Sequence, residues 1–163
     1  MPETLVIVNN ITTALSLPGK LSRITATTLS HDYSTASSSA RTRNYSKLQG
    51  VDVPEVNSIE WIQIRPVASA TIIPAVIDLG QGEAEVIALG LENPGSLLVF
   101  DDRLAQRIAD LYRLKYTGTL GVLVKAKQSG YLSTVAPVIN MLRSKGMWLT
   151  DKIISDVLRL SGE

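Results

Sequence analysis

The sequence predicts an α/β fold built on a parallel sheet. Three observations carry that expectation. Residues 4–8 (Thr-Leu-Val-Ile-Val) and 96–100 (Ser-Leu-Leu-Val-Phe) are short uncharged runs, as expected of strands buried on both faces of a parallel sheet. Stretches with helical apolar spacing follow such runs rather than clustering at one end. Acids gather where a strand would end and a helix begin: Glu83, Glu85, Asp101 and Asp102. In open α/β sheets ligands bind outside the carboxyl ends of the strands, so these two acidic clusters are expected to share a site.

The elements follow in order. After the first strand come Asn9 and Asn10, and residues 13–17 open a helix that Pro18-Gly19 interrupts. Residues 22–46 differ from the rest of the chain. They are crowded with Ser and Thr, include Ser37-Ser38-Ser39, and read as a solvated or disordered loop. His31, the only histidine, lies there and is read as a surface residue. Order resumes near Leu48, with Pro54-Glu55-Val56 as a turn or short helix. Residues 59–67 form a strand that Pro66 ends, and residues 72–79 lead into the centre of the chain.

That centre starts with Gly80 and Gly82, which break whatever precedes them. Glu83 and Glu85 are expected in a first helical turn, where the helix dipole favours negative charge. Val86, Ile87, Leu89 and Leu91 supply apolar faces, and Asn93-Pro94-Gly95 stops the helix before the strand at 96–100. Residues 102–116 read as one amphipathic helix with Leu104, Ile108 and Leu111 toward the core and Arg103 and Arg107 on another face. A further helix begins at Gly118-Thr119 with Thr119 as its cap and runs to about Lys127. Residues 133–144 form a helix with Pro137 in its first turn, and Thr150-Asp151 caps a last helix over 152–160. Tyr112, Met141, Met147 and Trp148 are expected in the core.

Composition narrows the function classes. With 163 residues, a single domain is expected. Sixteen basic against fifteen acidic residues give a net charge of +1, which argues against a strongly electrostatic nucleic-acid binder but leaves room for a local basic patch. Arg103, Arg107, Arg113, Lys115, Lys125 and Lys127 are candidates for phosphate contacts, though a solvated face is the commoner use of such charges. The absence of cysteine excludes disulfides and thiolate metal sites, and is compatible with a reducing cytoplasm. No apolar run approaches the ~20 residues of a membrane helix, and no basic segment opens a signal peptide. Gly118-Thr119-Leu120-Gly121 lacks the lysine of a phosphate-binding loop.

Three stretches together resemble a known family. They are residues 79–89 (Leu-Gly-Gln-Gly-Glu-Ala-Glu-Val-Ile-Ala-Leu), 97–105 (Leu-Leu-Val-Phe-Asp-Asp-Arg-Leu-Ala) and 117–127 (Thr-Gly-Thr-Leu-Gly-Val-Leu-Val-Lys-Ala-Lys), with the ending around Leu142-Arg143-Ser144-Lys145-Gly146 and Gly162-Glu163. In order and spacing, residues 77–163 are similar to the PIN-domain-like family of predicted nucleic-acid-binding proteins. The resemblance implies a three-layer α/β/α sandwich around a central parallel sheet. It also implies a ribonuclease activity like that of toxins of the VapC type, in which carboxylates hold one or two Mg²⁺ or Mn²⁺ ions. Carried over to this chain, Glu83, Asp101 and Asp102 would be both catalytic and metal-binding, Asn10 would be a neutral metal ligand, and Glu85 a less certain member. The implied partners are RNA and a small antitoxin protein, with no membrane, a homodimeric assembly and a cytoplasmic location.

The N-terminal half departs from the family pattern. Asn10 stands where an acid is common, and no apolar strand followed by a second acid occurs between Pro18 and Tyr45. Residues 22–45 are therefore atypical within a single domain over 1–163, through disorder or a shifted reading frame. Read one base later with suitable codons, residues 24–42 can give LQQLLYHTIIPQPVVAREL, the missing helix, strand and acid. Sequencing the coding DNA tests this. The literal chain is accordingly expected to cleave RNA weakly or not at all, and the rival reading is a non-catalytic protein on the same fold that binds nucleic acid or a protein partner.

Overall fold

The computed structural model describes residues 6–8, 26–28, 62–64, 67–68 and 79–163. Five strands among them form one parallel sheet: β1 (Val6–Val8), β2 (Ala26–Thr28), β3 (Ile62–Ile64), β4 (Leu97–Val99) and β5 (Lys115–Thr117), in the order β3-β2-β1-β4-β5. Val6 pairs with Ala26 on one side and with Leu97 on the other, and Val8 pairs with Thr28 and Val99. Ala26 pairs in turn with Ile62, and Leu97 with Lys115. The chain thus moves outward from β1 in one direction through β2 and β3, then returns to β4 and moves outward the other way. Strand order reverses between β1 and β4, and in doubly wound sheets a crevice opens at that point beyond the strands' carboxyl ends.

The strand at Ala26–Thr28 corrects the reading of residues 22–46 as a loop. Two of its three residues are β-branched threonines, which suit a pleated backbone, and its ladder is completed on both sides by β1 and β3. Counting Ser and Thr as loop formers concealed it. The remainder of 22–46, His31, Asn9, Asn10, the helix expected at 13–17 and the turn at 54–56 lie outside the described residues.

Five helices are described. The first, α1 (Gln81–Glu92), has Gly80 as its N-cap. It ends as the sequence signals indicate: the backbone and side-chain amides of Asn93 both donate to the Leu89 carbonyl, at 2.9 and 2.8 Å, and Gly95 takes a positive φ of 89°. All residues from Ala84 to Gly90 are buried. Gly90 lets the helix lie close on the sheet, because a Cβ there would meet Leu98 Cδ2 at 2.9 Å.

The helix expected over 102–116 stops early. α2 covers Arg103–Leu111, and Lys115–Thr117 is instead the edge strand β5. The reversal lies at Arg113, whose φ of 56° ends the helix in a left-handed residue while the Leu114 amide reaches back to the Ala109 carbonyl at 2.9 Å. Ala105, Ile108 and Ala109 face the core, whereas Leu111 is 82% exposed. The i, i+4, i+7 pattern therefore named two inward positions, Leu104 and Ile108, and one wrong one. Val86, Ile87, Leu89, Leu98, Phe100, Ala105, Ile108 and Ala109 form a single core between α1, β4 and α2. Right-handedness, the rule for crossovers between parallel strands, places both helices on the same face for this strand order, consistent with their shared core.

The last three helices are α3 (Thr119–Gln128), α4 (Ala136–Ser144) and α5 (Asp151–Ser161). They enclose a second core of Leu123, Val135, Ile139 and Val157, with Ile153, Ile154 and Leu158 packed against it. Pro137 lies in the first turn of α4, and Thr150 caps α5 by accepting the Ile153 amide at 3.3 Å, both as the sequence indicated. Tyr112, Met141 and Trp148 do not belong to either core: they are 46%, 45% and 81% exposed. Their bulk argued for burial, but Tyr112 is the C-cap of α2, Trp148 lies between α4 and α5, and Met141 is on an exposed position of α4. Glu163 closes this lobe. Its carboxylate accepts the Val135 amide and the Lys127 ammonium at 2.6 Å each, and the Ala136 amide at 3.2 Å.

Candidate active site at the carboxyl edge of the sheet

β4 ends at Val99, directly beside the end of β1 at Val8. Phe100 continues the strand for one residue, its amide donating to the Thr117 carbonyl at 3.1 Å and its ring stacking on Tyr116 at 5.7 Å. Asp101 and Asp102 follow at the reversal of strand order, the place where ligands bind in open α/β sheets.

The two aspartates do different work. Asp102 is the N-cap of α2 and accepts the Ala105 amide at 2.8 Å. Asp101 reaches across to the start of α3 instead. Its Oδ1 accepts the Thr119 amide at 2.8 Å, and its Oδ2 accepts the Thr119 hydroxyl at 2.6 Å. Thr119 is buried, and it is the first helical residue rather than the cap, which is Gly118. Gly118 is needed for this approach, because a Cβ on it would sit 2.6 Å from Asp101 Oδ1.

Glu83 and Glu85 also separate. α1 ends at Glu92 and β4 begins at Leu97, so a helix that runs back across the sheet before this short turn has its start at the same edge as the end of β4. Glu83 is the acid of the first turn, and its carboxylate folds back over the N-cap, where a Cβ on Gly80 would collide with it. Glu85 falls in the second turn, not the first, and is only 3% exposed. Of the two, Glu83 is the one placed near solvent.

The basic residues divide as well. Arg103, Arg107, Arg113, Lys115 and Lys125 are exposed. Lys127 is committed to Glu163, and the Glu163 carboxyl is held below the usual carboxylate range, first by that ammonium and then by the Val135 amide. At the edge strand, burial pushes the Tyr116 phenol up, reinforced by the Asp110 carboxylate that accepts its hydroxyl at 3.3 Å.

Among the described residues no three acidic or histidine side chains gather closely enough to hold a metal ion. The donor chemistry does fit a hard divalent cation, since Glu83, Asp101 and Asp102 offer only oxygen. A carboxylate has about four acceptor positions, and Thr119 takes one on each oxygen of Asp101. Sequence reasoning missed Thr119 as a partner of Asp101. It is 18 positions away, and nothing in its local pattern distinguishes a threonine that starts a helix from one that holds a carboxylate.

No described helix is long and apolar enough to cross a membrane. A family model described as PIN domain (DUF3368) matches residues 41–163. No curated protein and no solved structure matches the chain.

Proposed function

Because this chain belongs to the PIN-domain family, which generally includes nucleases, we propose that it is a metal-dependent ribonuclease of the VapC toxin type. PIN domains usually use divalent metals, and Mg²⁺ or Mn²⁺ is the expected ion. The observation that carries the reading is Asp101, a carboxylate just past β4 at the reversal of strand order. Glu83, Asp101 and Asp102 would hold the ion, with the Asn10 amide as a neutral ligand. When bound, such an ion lowers the pKa of an attacking water and stabilises the leaving oxygen of a phosphodiester. The chain's own contribution is to fix the donors on rigid elements. Asp101 is clasped to α3, and Glu83 is set at the start of the buried helix α1. Exposed Arg103 and Arg107 would meet RNA phosphates. A small antitoxin protein and a second copy of the chain are the other proposed partners, and the cytoplasm the proposed compartment.

The literal chain offers an amide at Asn10 and no second-motif acid, so weak cleavage is expected. The test incubates the full chain with structured and unstructured RNA, Mn²⁺ and a chelator, beside calorimetric titration of Mn²⁺. Slow cleavage abolished by chelator, with Glu83→Gln and Asp101→Asn weakening Mn²⁺ binding more than Glu85→Gln, is the expected result. Chelator-insensitive cleavage overturns the metal-dependent reading. Bound metal without any cleavage supports the second reading, a non-catalytic PIN-fold protein that binds nucleic acid or a protein partner. The cap that Asp102 already provides to α2 favours that alternative.

A further inference from the structure

We infer that Thr119 is a positioning residue for Asp101, fixing the plane of its carboxylate toward a divalent cation; the inference rests on the metal-dependent reading above. Four observations lead there. The contact is two-pointed, with the amide on one oxygen and the hydroxyl on the other, so it fixes orientation and not merely distance. The hydroxyl contact, at 2.6 Å, has the length of a charge-assisted O–H···O⁻ bond. Thr119 is buried, so water does not readily substitute for its hydroxyl. Gly118 leaves room for the approach, although its own backbone is extended, with φ −98° and ψ 175°, and does not require glycine.

A simple helix cap explains less of this. A capping carboxylate needs one oxygen on one amide near a helix start, as Asp102 shows on α2. Asp101 accepts a second bond as well, from the side-chain hydroxyl of the same Thr119, 18 residues away. A carboxylate that ligates a metal is itself hydrogen-bonded by neighbours that hold its orientation, and losing such a neighbour typically weakens metal binding about 10–100-fold. Thr119 has the position and chemistry for that task.

The experiment titrates Mn²⁺ calorimetrically into the full chain, wild type and Thr119→Val, Thr119→Ser and Gly118→Ala, with thermal unfolding measured for each without metal. Thr119→Val keeps the size and the amide and loses only the hydroxyl. It is expected to weaken Mn²⁺ binding about 10–100-fold. Thr119→Ser restores the hydroxyl and should bind as wild type does. Gly118→Ala leaves Thr119 intact but displaces Asp101, and should weaken binding like Thr119→Val. Unchanged Mn²⁺ affinity in Thr119→Val, whatever its melting temperature, overturns the inference and leaves the metal-dependent reading standing. Equal losses in Thr119→Val and Thr119→Ser also overturn it, since the hydroxyl would then not be the cause. Wild type that binds no Mn²⁺ overturns both.

Discussion

The two cores among the described residues are built differently. The α1–β4–α2 core rests on the sheet, and α1 is buried without interruption from Ala84 to Gly90. The α3–α4–α5 core has no strand in it. α4 buries only Ile139 fully, and α5 only Val157 and Ser161. The second lobe makes up the difference with polar ties, above all the Glu163 carboxylate on Lys127 and on the first amides of α4. The lesson is one of precision. Candidate donor side chains at Glu83 and Asp101 come from the sheet-backed lobe, where packing leaves little freedom, and the looser lobe reaches Asp101 through a directional contact at Thr119.

The most drastic way to break this comparison is to hollow out each core in turn. Leu98→Ala removes a β4 side chain with no solvent exposure that packs against α1 at Gly90. It is expected to cost about 3–5 kcal/mol, against about 2–3 kcal/mol for Leu123→Ala, because half-exposed helices relax more easily around a cavity. Urea unfolding of both variants measures the difference. A larger loss at Leu123 would show that the helical lobe is the more rigid of the two.

The polar ties can be tested by pH. The Glu163 carboxyl titrates below its usual range when folded, so its contribution is complete above the ordinary glutamate pKa of about 4.3. It is lost as pH falls through the lower folded value. Glu163→Gln should therefore destabilise the protein at pH 7 and reduce its acid sensitivity. Some acid sensitivity should remain, because the Asp156 carboxyl is also held low, first by its bond from Arg159 and then by the Lys152 charge. Urea titrations between pH 7 and pH 3 check both points. An unchanged pH slope in Glu163→Gln would mean that packing alone holds the lobe.

The smallest expected effect concerns the hinge between α2 and β5. Arg113 adopts a left-handed backbone that L side chains enter at a cost of roughly 1–2 kcal/mol. Arg113→Gly should relieve that strain and raise stability by at most about 1 kcal/mol, as glycine's greater freedom when unfolded offsets part of the gain. Thermal unfolding is sensitive enough to see it. A marked loss would mean that the arginine side chain anchors the turn.

What could be read from sequence follows the same division. The parallel sheet, α1 and its stop, the helix start at Asp102 and the cap at Thr150 were legible because uncharged runs, Asn-Pro-Gly and Thr-Asp are local signals with local causes. β5 was not, because Lys115-Tyr116-Thr117 continues the helical spacing of the preceding residues and no glycine or proline marks the turn at Arg113. β2 was hidden by composition, since the threonines that suit a strand also suit a loop. Burial failed at Trp148 and Leu111, where hydrophobicity was clear but coverage depends on what packs nearby. Of the candidate site, the places of Glu83 in a first helical turn and of Asp101 and Asp102 past a strand end were legible, and the clasp between Asp101 and α3 was not. Asn10 lies outside the described residues.

Gly90 gives the buried helix a mechanical role. Where α1 presses on Leu98 there is room for a hydrogen and not for a methyl group. Glu83 is seven residues nearer the start of the same rigid rod, about 10 Å along its axis. The contact at Gly90 is thus a fulcrum, and Glu83 rides at the far end of the lever. Widening the contact by one carbon requires Leu98 to shift or the rod to tilt, and a tilt displaces the carboxylate without touching it. Position 90 and position 98 are consequently tied as a pair: a larger residue at one is tolerated only with a smaller residue at the other.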